Sequence, residues 1–238
     1  MVATGDDHHS QWAELWTQWT PSLPQPEGEA PLLLPVAVLV HGGSWTCKWC
    51  SDLHDAMAAD LCERGWAVFN TEFRRVGHED QPSGHPGAGY PGTLLDVAAA
   101  LNTLEALAGS EPELGLDLTR LVIGGHSSGG HLALWAAQAH RSPLVSVSLK
   151  PRGVVAFRPA TDLLAEFARA RADVENFMGA TPVEDPEAYA LANPMALLPL
   201  YVSVSVVRSP SAASATGCSA VRVSAATGCR HPAKRRLF

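Results

Sequence analysis

The chain has 238 residues, 46% of them hydrophobic, with 17 basic and 24 acidic side chains and a formal net charge of −7. That composition fits one α/β domain of ordinary globular type, and the acid excess argues against general nucleic-acid binding. The longest apolar run, Pro31 to Val40, falls short of the ~20 residues that span a bilayer, and the start Met1 to Asp7 lacks the basic and apolar regions of a secretion signal, so no membrane partner and a cytoplasmic location are expected.

In chain order, Trp12, Trp16 and Trp19 recur at i, i+4 and i+7, which predicts one face of a short helix ending before Pro21. Its aromatic face is expected to dock on the domain or to border the substrate site as part of a lid or acyl pocket. With the proline-rich linker that follows, it makes residues 1–31 an N-terminal aromatic helix and linker. From there apolar runs and helical stretches alternate: strand 36–40, helix 52–64, strand 66–70, helix 92–108, strand 121–125, helix 128–140, strand 153–157 and helix 162–171. This alternation predicts a mostly parallel sheet with helices on both faces, in a domain covering 32–200. Gly65 is expected to stop the first helix and Asp162 to cap the last. Asp173, Glu175, Glu184, Asp185 and Glu187 read as a solvated region beyond it.

Five cysteines, an odd number, do not make a disulfide framework. Cys47 and Cys50 have C-x-x-C spacing but no second ligand pair and no thioredoxin-like context, so they read as reduced thiols, with Cys62 in the core. Neither a metal nor a cofactor is expected.

Two motifs carry chemistry. Gly125-His126-Ser127-Ser128-Gly129 follows the run Leu121-Val122-Ile123 and opens a helical stretch, so a G-x-S-x-G motif sits where a strand turns sharply into a helix. Ser127 is therefore the candidate nucleophile. Upstream, Val36 to Val40 runs directly into His41-Gly42-Gly43-Ser44-Trp45, where two glycines free the backbone to aim N–H groups at one point. A tetrahedral intermediate needs such donors, and Gly43, Ser44 and Ser128 are the candidate oxyanion hole. In an open parallel sheet both motifs fall beyond the carboxyl ends of the strands, where ligands bind.

At these motifs the chain resembles the α/β-hydrolase superfamily, in its esterase, lipase and kynurenine-formamidase-like branch. The resemblance extends to Arg64-Gly65-Trp66-Ala67-Val68, Glu72-Phe73-Arg74-Arg75-Val76-Gly77, Tyr90-Pro91-Gly92-Thr93-Leu94-Leu95-Asp96-Val97 and Asn193-Pro194-Met195-Ala196-Leu197-Leu198-Pro199-Leu200. It implies an α/β-hydrolase fold and a serine hydrolase that takes a small-molecule ester or amide through an acyl-enzyme. It assigns His41 and Gly42 to support of the oxyanion loop, and it sets the 76–89 loop beside the substrate cleft.

Past Leu200 the resemblance stops. The superfamily order is Ser, acid, His, yet residues 201–238 hold no Asp or Glu and six of the 17 basic residues. This tail reads as an atypical low-complexity segment, a foreign reading frame or alternative terminus in place of the C-terminal strands; losing those strands is expected to leave the strand at 153–157, or a poor substitute at Val202-Ser203-Val204-Ser205-Val206, as a sheet edge open to self-association. His54, His78 and His85 precede the elbow, and His131 belongs to the helix behind Ser127, packed back on the fold. Only His231 keeps the order as candidate base, and no acid can be assigned. Two readings stay open: an impaired esterase, and a pseudo-hydrolase that keeps the fold, elbow and oxyanion hole without turnover.

Overall fold

The computed structural model describes residues 10–17, 33–200 and 202–207, together with the backbone of 233–237. Seven strands form one sheet: β1 (Ala13–Thr17), β2 (Leu34–Val40), β3 (Ala67–Thr71), β4 (Leu116–His126), β5 (Gly153–Phe157), β6 (Ser203–Val207) and β7 (Ala233–Leu237), in the order β6-β5-β4-β2-β3-β1-β7. From β6 to β3 every pairing is parallel, while β1 runs antiparallel to both β3 and β7. The helices are α1 (Asp55–Glu63), α2 (Gly92–Ser110), α3 (Ser128–Ala136), α4 (Leu163–Arg169), α5 (Arg171–Met178) and α6 (Pro186–Ala192).

β2 shows how the sequence builds the layers. Its side chains alternate between faces, and both faces are apolar, as a strand covered on two sides requires. Val36, Val38 and Val40 enter the larger core with Leu94, Leu101 and Leu104 of α2 and Leu132 and Trp135 of α3. Ala37 and Leu39 point the other way, into a smaller cluster with Ala58 and Cys62 of α1, Val68 and Trp16. The mostly parallel sheet with helices on both faces is thus as expected. Gly65 ends α1 at φ +83°, and the Asp162 carboxylate caps α4 by accepting the Leu164 N–H at 3.0 Å.

Three expectations need correction. The tryptophan segment is strand β1, because Trp12 and Trp16, four apart, also share a face at period 2, and pairing with β3 supplies the hydrogen bonds. Trp16 lies buried under α1, away from any cleft, and Trp19 falls outside the described residues. The helix expected at 162–171 is α4, which ends at Arg169, and a second helix, α5, follows it in the stretch read as a solvated region. In the tail, 203–207 does extend the sheet, in parallel register with β5, and 233–237 closes the opposite side against β1.

Candidate active site

Ser127 stands between β4 and α3 with φ 54° and ψ −121°. A non-glycine residue held there costs about 1–3 kcal/mol and persists only where its surroundings fix it. Those surroundings are tight. The Ser127 N–H donates to Phe157 O at 2.9 Å, and a Cβ added at Gly129 would lie 2.1 Å from Val40 O. The glycines of the motif are therefore what let β2, β4 and α3 converge on the serine. The Ser127 hydroxyl makes no hydrogen bond among the described residues.

The loop after β2 lies directly against this turn. A Cβ at Gly42 would be 2.6 Å from His126 O and 3.3 Å from the Ser127 Cβ. The next three residues all have positive φ: Gly43 at 124°, Ser44 at 53° and Trp45 at 57°. The Thr46 N–H closes the turn on Gly43 O at 3.0 Å, and neither the Gly43 nor the Ser44 N–H is spent on a backbone carbonyl among the described residues. Ser128, at the first position of α3, has an N–H with no intrahelical acceptor.

Trp45 is held from two sides. Its indole N–H donates to His131 Nδ1 at 3.2 Å, its ring stacks on Phe177 with centroids 4.6 Å apart, and it is buried. His131, as expected, faces the fold and not the serine hydroxyl. Burial pushes its imidazole down to about 4, although the hydrogen bond to Ala192 O acts the other way.

His41 is fixed by a residue that sequence reasoning quoted without giving it a role. Both His41 ring nitrogens lie 2.8 Å from acceptors, Gly42 O and Glu72 Oε1. Its ring also stacks on Phe73 at 4.3 Å. Glu72 accepts further bonds from the Ser51 N–H at 3.0 Å and the Phe73 N–H at 3.1 Å, and it pairs with Arg75 at 3.3 Å. Burial alone would raise the Glu72 carboxyl, but the bond from His41 and the charges of His41 and Arg75 hold it below its usual range. Arg75 in turn donates to the Trp49 carbonyl. The available signal was Glu72 itself, an acid beside a buried strand.

Gly42, Gly43, Ser44 and Ser127 line a cleft of about 780 Å³. Trp49, Leu53 and Met57 line it too, and all three are exposed. Leu39 and Phe157 complete the apolar lining, and His54, His78, His126, Lys48 and Asp173 supply the ionisable groups. His54 is buried, its Nδ1 has no partner among the described residues, and burial, then the proximity of His41 and His126, lowers it to about 4. Asp173 is exposed, as expected of a solvated acid, and it also accepts a hydrogen bond from Ser44 Oγ at 3.0 Å.

His231 lies outside the described residues. The strand after it, β7, is at the edge of the sheet away from β4, and Lys234 sits level with Trp16, Val68, Ala37 and Val122. Among the described residues no group of three or more His, Cys, Asp or Glu could hold a metal ion. Cys47 and Cys50 are free thiols with separate acceptors, Gln81 O and Asp52; Cys62 is buried in the core. No helix of the described residues is long and apolar enough to cross a membrane.

Comparison with known families then decides the ancestry: the BD-FAE family model matches residues 23–204. The chain belongs to the BD-FAE family. Solved structures similar to this BD-FAE domain include esterase B from Lactobacillus rhamnosis, at TM-score 0.58 and 17% identity, covering 82% of this chain and 74% of that one. A bacterial heroin esterase is similar at TM-score 0.58 and 23% identity, covering 83% and 74%. The fold is that of the α/β-hydrolases. Among curated proteins, a hydrolase of Pyricularia oryzae called ORFZ is 31% identical over 129 residues, 54% of this chain but 29% of its own length. Methylphloroacetophenone synthase of Cladonia uncialis is 28% identical over 147 residues, 60% of this chain and 5% of its own. The chain therefore matches less than a third of either curated relative.

Proposed function

We propose that this BD-FAE member is a serine hydrolase of carboxylic esters or small amides, with Ser127 as nucleophile and the N–H groups of Gly43, Ser44 and Ser128 as the oxyanion hole. The observation that carries this reading is the strained Ser127 backbone, with φ 54°, beside a loop whose N–H groups are unspent. Ser127 Oγ attacks the substrate carbonyl carbon and gives up its proton to a base. The carbonyl oxygen becomes an oxyanion and takes hydrogen bonds from the three N–H groups. Collapse expels the alcohol or amine, which leaves with a proton, and water repeats the sequence on the acyl-enzyme to release the acid. Trp49, Leu53 and Met57 offer an apolar wall for the acyl group.

Turnover is slow in this reading. Activation of a serine hydroxyl requires an oriented base, and the Ser127 hydroxyl is unpartnered among the described residues. His231 is the base that chain order offers. The second reading, a pseudo-hydrolase that binds esters without turning them over, draws on the same two observations. The test is labelling of Ser127 by a fluorophosphonate together with hydrolysis of short-chain nitrophenyl esters. Labelling with turnover that Ser127→Ala abolishes supports the hydrolase. Absence of both leaves the binding protein.

A further inference from the structure

We propose that Asp173 is a positioning residue for the oxyanion loop: helix α5 grips Ser44 and Trp45 and holds them in the left-handed backbone that leaves the Ser44 N–H free. This rests on the functional reading only for what the loop is used for, and not for the grip itself.

Ser44 and Trp45 are consecutive non-glycine residues with φ of 53° and 57°, a backbone that side-chain-bearing residues avoid unless something outside the turn enforces it. For Trp45 the enforcement is visible in the Phe177 stack and the bond to His131. For Ser44 it is one hydrogen bond, from its Oγ to Asp173 Oδ2 at 3.0 Å, across 129 residues of sequence. Asp173 and Phe177 are four apart on α5, so they share one face and meet two adjacent residues of the loop. The same helix also steadies the second loop at the cleft. Asn176 Nδ2 donates to Gly77 O at 3.1 Å, and Phe177 O accepts the Tyr90 N–H at 2.8 Å.

The identity of the gripping group leaves a mark on the chemistry. Asp173 lines the cleft with Ser44 and Ser127, and a carboxylate there opposes the negative charge of a developing oxyanion. An amide would keep an acceptor for the Ser44 hydroxyl without that charge. Grip and charge therefore predict opposite behaviour of two substitutions, which a merely structural role for Asp173 does not.

The experiment compares the full chain with Asp173→Ala, Asp173→Asn and Ser44→Ala by hydrogen exchange at Thr46 and Cys47. Their N–H groups close the loop on Gly43 O and Val76 O. Loss of one hydrogen bond is expected to speed exchange about five-fold in Asp173→Ala and equally in Ser44→Ala, with no further gain in the double variant, and to leave Asp173→Asn at the parental rate. On a nitrophenyl acetate, Asp173→Ala is expected to lower kcat about ten-fold at constant KM, while Asp173→Asn equals or exceeds the parent. Unchanged exchange in Asp173→Ala, or an asparagine variant that behaves like alanine, overturns the proposal. Faster exchange in a chain that shows no turnover upholds the grip and counts against the hydrolase reading alone.

Discussion

His131 Nδ1 accepts the indole N–H of Trp45 at 3.2 Å, so the ring carries its proton on Nε2, which donates to Ala192 O at 3.0 Å. One neutral imidazole thereby joins the loop after β2, the helix α3 behind Ser127 and the end of α6. Each bond needs this tautomer, and the imidazolium would break the first.

Acid should loosen the fold through this residue and His54. Both are held near 4 in the folded chain, chiefly by burial, against an ordinary 6.5. A group depressed in this way stabilises fully above its unfolded value, and the contribution disappears as pH falls through its folded value. Each should withdraw about 3 kcal/mol between roughly pH 6.5 and 4. Urea unfolding across that range is expected to show the decline, with a shallower slope in His131→Phe; a flat profile would contradict the assignment.

Glu72→Ala should destabilise by about 3–5 kcal/mol, because it leaves His41 and Arg75 buried without their carboxylate. Glu72→Gln should cost less, since an amide oxygen still accepts from Ser51 and Phe73. Denaturant midpoints of the two variants give the comparison; equal losses would mean that the charge carries the whole effect and that the bonds from Ser51 and Phe73 add nothing once it is gone.

Gly42→Ala should uncouple the site from the fold. The added Cβ meets His126 O at 2.6 Å, so the loop after β2 and the Ser127 turn must move apart. The expected result is loss of fluorophosphonate labelling by about 10²-fold with circular dichroism retained. Normal labelling would show that the loop does not serve the nucleophile.

Trp49→Ala should raise KM for hexanoyl and octanoyl esters several-fold while leaving acetyl esters unaffected, as removal of an apolar wall predicts. A uniform change across chain lengths would place the acyl group elsewhere.

β6 pairs only with β5 among the described residues, and Val204, Val206 and Val207 on it are exposed. Self-association at this edge is expected in light scattering, and Val206→Lys should reduce it. A monomeric parent would remove this expectation.

Much of this architecture was legible because it rests on local chemistry. The valine-rich runs of β2 and β5 read as buried strands, Gly65 as a helix stop and Asp162 as a cap, and the Ser127 turn declared itself through its glycines. What escaped depended on partners distant in sequence. Trp12 and Trp16 fit a helix and a strand equally well until β3 supplied the pairing. Asp173 is solvated as it read, but its bond to Ser44, 129 residues away, left no local signal. Residues 202–206 alternate valine and serine and read as a poor strand for a sheet buried on both sides; at the edge position that β6 (Ser203–Val207) takes, that pattern suffices.

The Glu72 carboxylate fastens three things at once: His41 at the start of the loop after β2, the Ser51 amide at the start of the segment that carries Leu53 and His54, and, through Arg75, the carbonyl of Trp49. The wall that would select an acyl group and the loop that would stabilise its oxyanion thus share one anchor. Substitutions that reshape the wall near Trp49 or Ser51 should be felt at His41, so their effects on selectivity and rate will not add independently. A variant library aimed at new acyl groups would do better to vary Met57, which lies beyond that anchor, than to begin at Trp49.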